Sequence, residues 1–160
     1  MNSTAQAFVE RLRLESHPEG GYFREVYRSD QEVLREGEVR SAATHIHFLL
    51  AEGDVSRWHV VASDEVWHFY EGSPLELLIY DPESRRLDIA RLGSLDEDGC
   101  VRHRLVPRGH WQAARSLGEF SLVGCTVAPG FLFDDFRFVG EVPDHRSHFR
   151  DILSAYASFL

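Results

Sequence analysis

Between Ser56 and Gly72 the chain reads SRWHVVASDEVWHFYEG, and this stretch narrows the possible folds more than any other. Trp58, Val60, Val61, Val66, Trp67, Phe69 and Tyr70 crowd around Ala62-Ser63-Asp64. Apolar-aromatic runs this short, divided by a turn signal, read as two buried β-strands. His59, Glu65 and His68 are interleaved with them. Ionisable side chains are costly to bury unpaired. Three of them beside core residues imply a hydrogen-bonded polar network, an acid–base pocket or a metal site.

The same pattern continues on both sides. Tyr22 to Tyr27 alternates as a strand does, with Tyr22, Arg24 and Val26 set against Phe23, Glu25 and Tyr27. Short strands are expected at residues 43–50, 75–80, 87–92, 101–106, 111–115, 120–127 and 131–139. Segments of this length, with turn signals every eight to twelve residues, point to an antiparallel sandwich or barrel. Helices are expected only at the two ends. Ala5, Phe8, Val9 and Leu12 form one apolar stripe, and Phe149, Ile152, Leu153, Tyr156 and Leu160 form another. Residues 28–42 are charged, lack alternation and read as a surface loop. A hairpin turn centred on Gly53 would set His47 opposite His59 and His45 opposite Val61. His45, His47, Arg57 and His59 would then share a face.

At 160 residues the chain suits one domain, residues 1–160, with a core of ordinary hydrophobic content (43%). Its formal net charge of −9 argues against nucleic acid and anionic membranes as partners, which want a basic face. Arg24, Arg28, Arg40 and Arg57 leave room for a locally positive pocket. No apolar run approaches the roughly 20 residues of a membrane span, and the N-terminus lacks a signal-peptide core, so a cytoplasmic location is expected. Two cysteines, Cys100 and Cys125, make no disulfide framework, and Cys125 reads as a small buried hydrophobe.

Several pieces resemble one known family. His59, Glu65 and Gly72, with Gly53 opening the run, stand at the spacings of the first motif of the cupin superfamily, G-x5-H-x-H-x3,4-E-x6-G. Val61 occupies the place of its second histidine. Pro107-Arg108-Gly109-His110-Trp111-Gln112 is similar to the second motif, with Gln112 at the last metal-ligand histidine. His17-Pro18-Glu19-Gly20-Gly21-Tyr22-Phe23-Arg24-Glu25 and Asp64 to Leu77 resemble the DUF985 branch, Cupin_5, as do Gly109 to Arg115 and Leu122 to Phe131. Together the pieces span residues 14–138. The resemblance implies an all-β fold: an antiparallel jelly-roll β-sandwich or barrel of RmlC-like type, with short N- and C-terminal helices. It also implies a ligand pocket inside the barrel and pairing into a homodimer.

By that resemblance His59, Glu65 and Gln112 face the pocket, and His68 joins them if a bulge re-aims it. Three functions follow. The first is a metal-independent epimerase or isomerase with His59 as base, Glu65 behind it and Tyr22, Tyr27 or Tyr70 as second acid. Its small polar or anionic ligand, sugar-like or a carboxylate, would meet Glu19, Tyr22, Arg24, His47, Arg57 and Gln112. The second is a metal-dependent enzyme. Val61 and Gln112 replace two ligand histidines, which points to no cofactor. A recruited set of His45, His47, His59 and Glu65 would still hold a divalent metal such as Zn, Ni or Fe. The third is a small-molecule binding protein without catalysis.

Overall fold

Period-two alternation dominates the chain, so its hydrophobic faces can be buried only by stacking sheets. The computed structural model describes residues 3–141, 152 and 155–159. Helix α1 (Ser3–Leu12) leads into β1 (Glu15–Ser16), β2 (Tyr22–Arg28), β3 (Glu32–Arg35), β4 (Glu38–Ser41) and β5 (Thr44–Ala51). Then follow β6 (Val55–Val61), β7 (Asp64–Gly72), β8 (Leu75–Asp81), β9 (Arg86–Leu92) and β10 (Cys100–Val101). The last strands are β11 (His103–Val106), β12 (Trp111–Ser116), β13 (Phe120–Ala128) and β14 (Phe136–Phe138). One sheet has the order β1-β2-β5-β13-β7-β11 and the other β10-β9-β8-β12-β6-β14. Within both sheets every pairing is antiparallel except the short β10–β9 contact. This is the expected jelly-roll sandwich.

Its interior is filled by Phe48, Leu50, Trp67, Phe69 and Val123 from the first sheet and Leu75, Leu77, Ile79, Leu92 and Ala114 from the second. Helix α1 covers part of the first sheet's outer face through Ala5, Phe8 and Val9 against Leu49, Phe120 and Leu122. Val139, Ile152, Tyr156 and Phe159 cover the second sheet's outer face over Trp58, Tyr80 and Trp111. The C-terminal helix expected near 144–160 falls largely outside the described residues. No helix among the described residues is long and apolar enough to cross a membrane.

Three local expectations are corrected. The charged stretch 28–42 is not a plain loop: β3 and β4 form a two-stranded hairpin whose turn, Glu36-Gly37, has positive φ at both residues. Of residues 131–139 only 136–138 form a strand, preceded by a 3-10 turn at Phe133–Asp135. The third correction moves side chains. The Glu52-Gly53 turn does not pair β5 with β6; it carries the chain from one sheet to the other. β5 pairs with β2 and β13, while β6 pairs with β12 and β14. His47 therefore does not face His59, and His45 does not face Val61.

Bulges do the rest of the aiming. Arg57 and Trp58 together stand opposite Ala113, because Gln112 pairs with His59 and Ala114 with Ser56. The extra residue brings Ser56 and His59, three apart, to the inner face. Val26 is an extra residue in β2, since Glu25 pairs with Ile46 and Tyr27 with His45, and it turns Arg28 inward beside Thr44.

Gly20 and Gly21 fasten the segment before β2. Their φ values are +116° and +68°, and a Cβ on Gly20 would stand 2.0 Å from the Val55 carbonyl oxygen. Only glycine fits a backbone this close in this conformation. We expect Gly20→Ala to cost at least about 2 kcal/mol, read as a lower urea midpoint with unchanged slope. A midpoint equal to wild type would contradict that role.

Candidate functional site

The tight approach at Gly20 has a chemical consequence. The Arg57 amide donates to the Glu19 carbonyl at 2.9 Å, which ties the segment to β6 and delivers the Glu19 side chain into the sandwich. Glu19 is 6% exposed and His59 2%. Ser56 Oγ donates to Glu19 Oε1 at 2.7 Å, and Glu19 Oε2 lies 3.3 Å from His59 Nε2 and 3.6 Å from His17 Nδ1. The other nitrogen of His59 is already committed: Nδ1 donates to the Arg57 carbonyl at 2.7 Å. That bond leaves Nε2 with a free lone pair, turned toward Glu19.

Glu65 sits on the same inner surface. Gln112 Nε2 donates to Glu65 Oε2 at 2.6 Å, and Gln112 is held in turn by Trp67 Nε1, which donates to its Oε1 at 2.8 Å. The Cys125 thiol also hydrogen-bonds Glu65. These groups form the closed end of a cavity of about 130 Å³. Its walls are Phe23, Ile46, Val61, Val127, Phe131 and Phe136, and Glu25, Arg28, Leu132 and Phe133 also line it. Phe136 stacks on the His59 ring at 4.9 Å.

Enclosure sets the protonation states. Burial pushes the Glu19 carboxyl up to about 8, opposed only in part by the Ser56 hydroxyl and the Arg57 charge. Burial likewise raises Glu65 and, strongly, Cys125. It lowers His59, against the opposing charge of Glu65. His17 falls to about 3 through burial and the nearby His59. At neutral pH Glu19 holds its proton and both imidazoles are uncharged, with Glu19 and His59 placed to share that proton.

A model of the Cupin_5 family, cupin superfamily (DUF985), matches residues 6–139. The chain is a Cupin_5 protein. An uncharacterized protein of Saccharomyces cerevisiae, YML079W, is 27% identical over 154 residues, covering 86% of this chain and 76% of that protein. A hypothetical protein from Leishmania major is 33% identical with a TM-score of 0.78, over 92% of this chain and 97% of that one. Protein SO0799 from Shewanella oneidensis is 36% identical with a TM-score of 0.76, over 92% and 94%. Oxalate decarboxylase from Bacillus subtilis shares the fold at 16% identity and a TM-score of 0.59, with 34% of its chain covered.

Cupins often hold a metal in this position, yet the donors of this Cupin_5 chain do not fit one. Val61 offers no lone pair, both ends of the Gln112 amide are engaged, and His59 Nδ1 is bonded to backbone. Among the described residues no group of three or more His, Cys, Asp or Glu side chains is arranged around an ion. The recruited set of His45, His47, His59 and Glu65 is not assembled. His45 and His47 lie on the outer face of β5, where His45 bonds Thr126 at 2.8 Å and Tyr70 at 2.9 Å.

Other expected site residues are also displaced. His68 faces outward and meets Thr126 at 3.1 Å; the bulge in β7 falls at Tyr70, too late to re-aim it. Tyr22 packs under α1, while Tyr27 and Tyr70 lie on the outer face, so none of the three tyrosines lines the cavity. Arg24 stands beside His47 on that face. Arg57 stays outside the cavity, donating to the Pro18 carbonyl at 2.6 Å with its guanidinium 4.3 Å from the Phe138 ring. Glu19, expected as one of the ligand contacts, is central. His17 and the thiol of Cys125 join the site unannounced, while Arg28, one of the arginines expected to make a pocket positive, does line the cavity. The one available signal for His17 was its place two residues before Glu19, ahead of paired glycines.

A carboxyl titrating near 8 in the folded chain holds a proton that the unfolded chain has lost above about 4.5. Stability tied to Glu19 therefore falls as pH rises from about 4.5 to 8. We expect Glu19→Gln to stabilise the protein by roughly 2 kcal/mol at pH 8 and by little at pH 5. Urea unfolding at the two values checks this, and a difference independent of pH would refute the raised carboxyl.

Proposed function

We propose that this Cupin_5 protein is a metal-independent isomerase that moves a proton on a small neutral carbonyl compound. The observation that carries the proposal is the 3.3 Å approach of Glu19 Oε2 to His59 Nε2 at the closed end of the cavity. In its deprotonated form the pair takes the proton from the carbon beside the carbonyl. The C–H electron pair moves into a C=C bond, and the carbonyl π pair moves onto oxygen. The pair then holds the proton as Glu19 O–H···Nε2. In a β,γ-unsaturated substrate it returns that proton to the γ-carbon: the oxygen pair re-forms C=O, the new C=C pair moves to the α,β bond, and the old β,γ pair takes the proton, which leaves the conjugated isomer and restores the protein. A two-acid epimerase is less well supported, because the tyrosines that would serve the second face lie outside the cavity.

Size and charge support the substrate class. A dry apolar cavity of about 150 Å³ takes a benzene-sized guest, and this one is close to that at about 130 Å³. Its inner end carries the protonated Glu19 carboxyl and two uncharged imidazoles, and Arg28 at the mouth is neutralised by a two-point bond to Glu25 at 2.9 and 2.8 Å. Among the described residues that line the cavity, a carboxylate or phosphate would meet no free cation. A neutral carbonyl on a ring-sized body loses little on entering.

Cyclohexanone in D2O is a suitable probe, with loss of its α-proton NMR signals as readout. We expect exchange faster than in buffer, rising through about pH 8 as Glu19 loses its proton. About a tenth of the pair is in the base form at pH 7. His59→Ala and Glu19→Gln should each lower the rate at least about 100-fold. Equal rates in both variants and wild type would refute the proposal.

A further inference from the structure

His17 is a buried titratable group that the proton transfer above leaves unused. It follows α1, ends up 6% exposed at its side chain and lines the cavity. Its ring is caged by aromatic ones: Phe23 edge-on at 4.4 Å, Phe48 at 5.8 Å, Phe133 at 6.2 Å and Phe136 at 6.3 Å. Such a cage fixes the ring plane and excludes water from it.

The backbone then fixes the tautomer. The Glu19 amide donates to His17 Nδ1 at 3.2 Å, so that nitrogen acts as acceptor. Glu19 Oε2, at 3.6 Å, is too far to compete for it. The ring hydrogen is therefore on Nε2. Among the described residues none accepts from Nε2. His17 lines the cavity, and its Nε2 is not fully enclosed. A caged N–H donor with nothing to donate to marks a place where ligand oxygen sits.

We propose that His17 is the electrophile of the site: a neutral imidazole whose Nε2–H binds the substrate's carbonyl oxygen and holds the negative charge it acquires as Glu19 and His59 remove the proton. This role rests on the proton-transfer reading above. Neutrality matters, because a neutral imidazole can strengthen its hydrogen bond to an oxyanion without giving up its proton. Burial and the neighbouring His59 hold His17 unprotonated across the physiological range. The buried aromatic surroundings make such a bond stronger than it is in water. The arrangement also explains the chain order His17-Pro18-Glu19: one rigid turn supplies both the donor for oxygen and the acid–base partner of His59.

Two readouts on cyclohexanone test this, and only one needs turnover. The infrared C=O stretch of the bound ketone should move to lower frequency in wild-type protein. His17→Phe suits the aromatic cage and removes the donor; it should abolish that shift and lower α-proton exchange about 100-fold, as loss of one oxyanion donor does. His17→Gln keeps an acceptor for the Glu19 amide and a donor for the ligand, and should recover part of both. His59→Ala should lose exchange but keep the infrared shift. A shift that survives in His17→Phe, or a wild-type protein that leaves the stretch of the ketone unchanged, would overturn the assignment of His17. A wild-type protein that shifts the stretch but exchanges α-protons no faster than buffer would instead fault the proton-transfer reading alone.

Discussion

The site depends on a carboxyl group buried with no cation beside it. Glu19 gives one oxygen to the Ser56 hydroxyl and turns the other toward two imidazoles, and Arg57, whose charge only partly offsets its burial, is held against Pro18 and Phe138 instead. An ionised carboxylate in such surroundings is expensive, so the group keeps its proton to about pH 8. Glu65 repeats the same arrangement with a neutral amide and a thiol as partners. Both acids cost the fold stability that hydrophobic residues there would not, a pattern common where side chains are placed for chemistry.

Backbone geometry makes that placement possible. The paired glycines let the N-terminal segment press against β6, closely enough for Arg57 N–H to meet the Glu19 carbonyl. The bulge at Arg57 and Trp58 sends Ser56 and His59 to the same face, one on each oxygen of Glu19. The mouth is built elsewhere. Arg35 and Arg40 of the β3–β4 hairpin pair with Asp135 at 3.5 and 2.7 Å, pinning the turn that carries Leu132 and Phe133 over the cavity.

The jelly roll was legible because period-two alternation and turn spacing survive in nearly every strand. His59, Glu65 and Gln112 were legible as inward residues, since their spacing around Gly72 and Gly109 is that of the cupin motifs. What failed lies beyond what alternation carries: it says which residues share a face, not which face it is, and it breaks at turns and bulges. Arg24 and Tyr22 do share a face, but it is the outer one. His45 and His47 were lost because the Gly53 turn looks the same whether it closes a hairpin or crosses between sheets. The inward turn of Arg28 was hidden by a one-residue bulge at Val26, and His17 by having no periodic context at all.

The central claim is that Glu19 carries its proton, shared with His59, at neutral pH. Infrared difference spectroscopy between pH 6 and pH 10 follows the carbonyl band of protonated buried carboxyls, and Glu19→Gln identifies which part belongs to Glu19. The account predicts a Glu19 band present at pH 6 that disappears with a midpoint near 8. A Glu19 already ionised at pH 6 would contradict it.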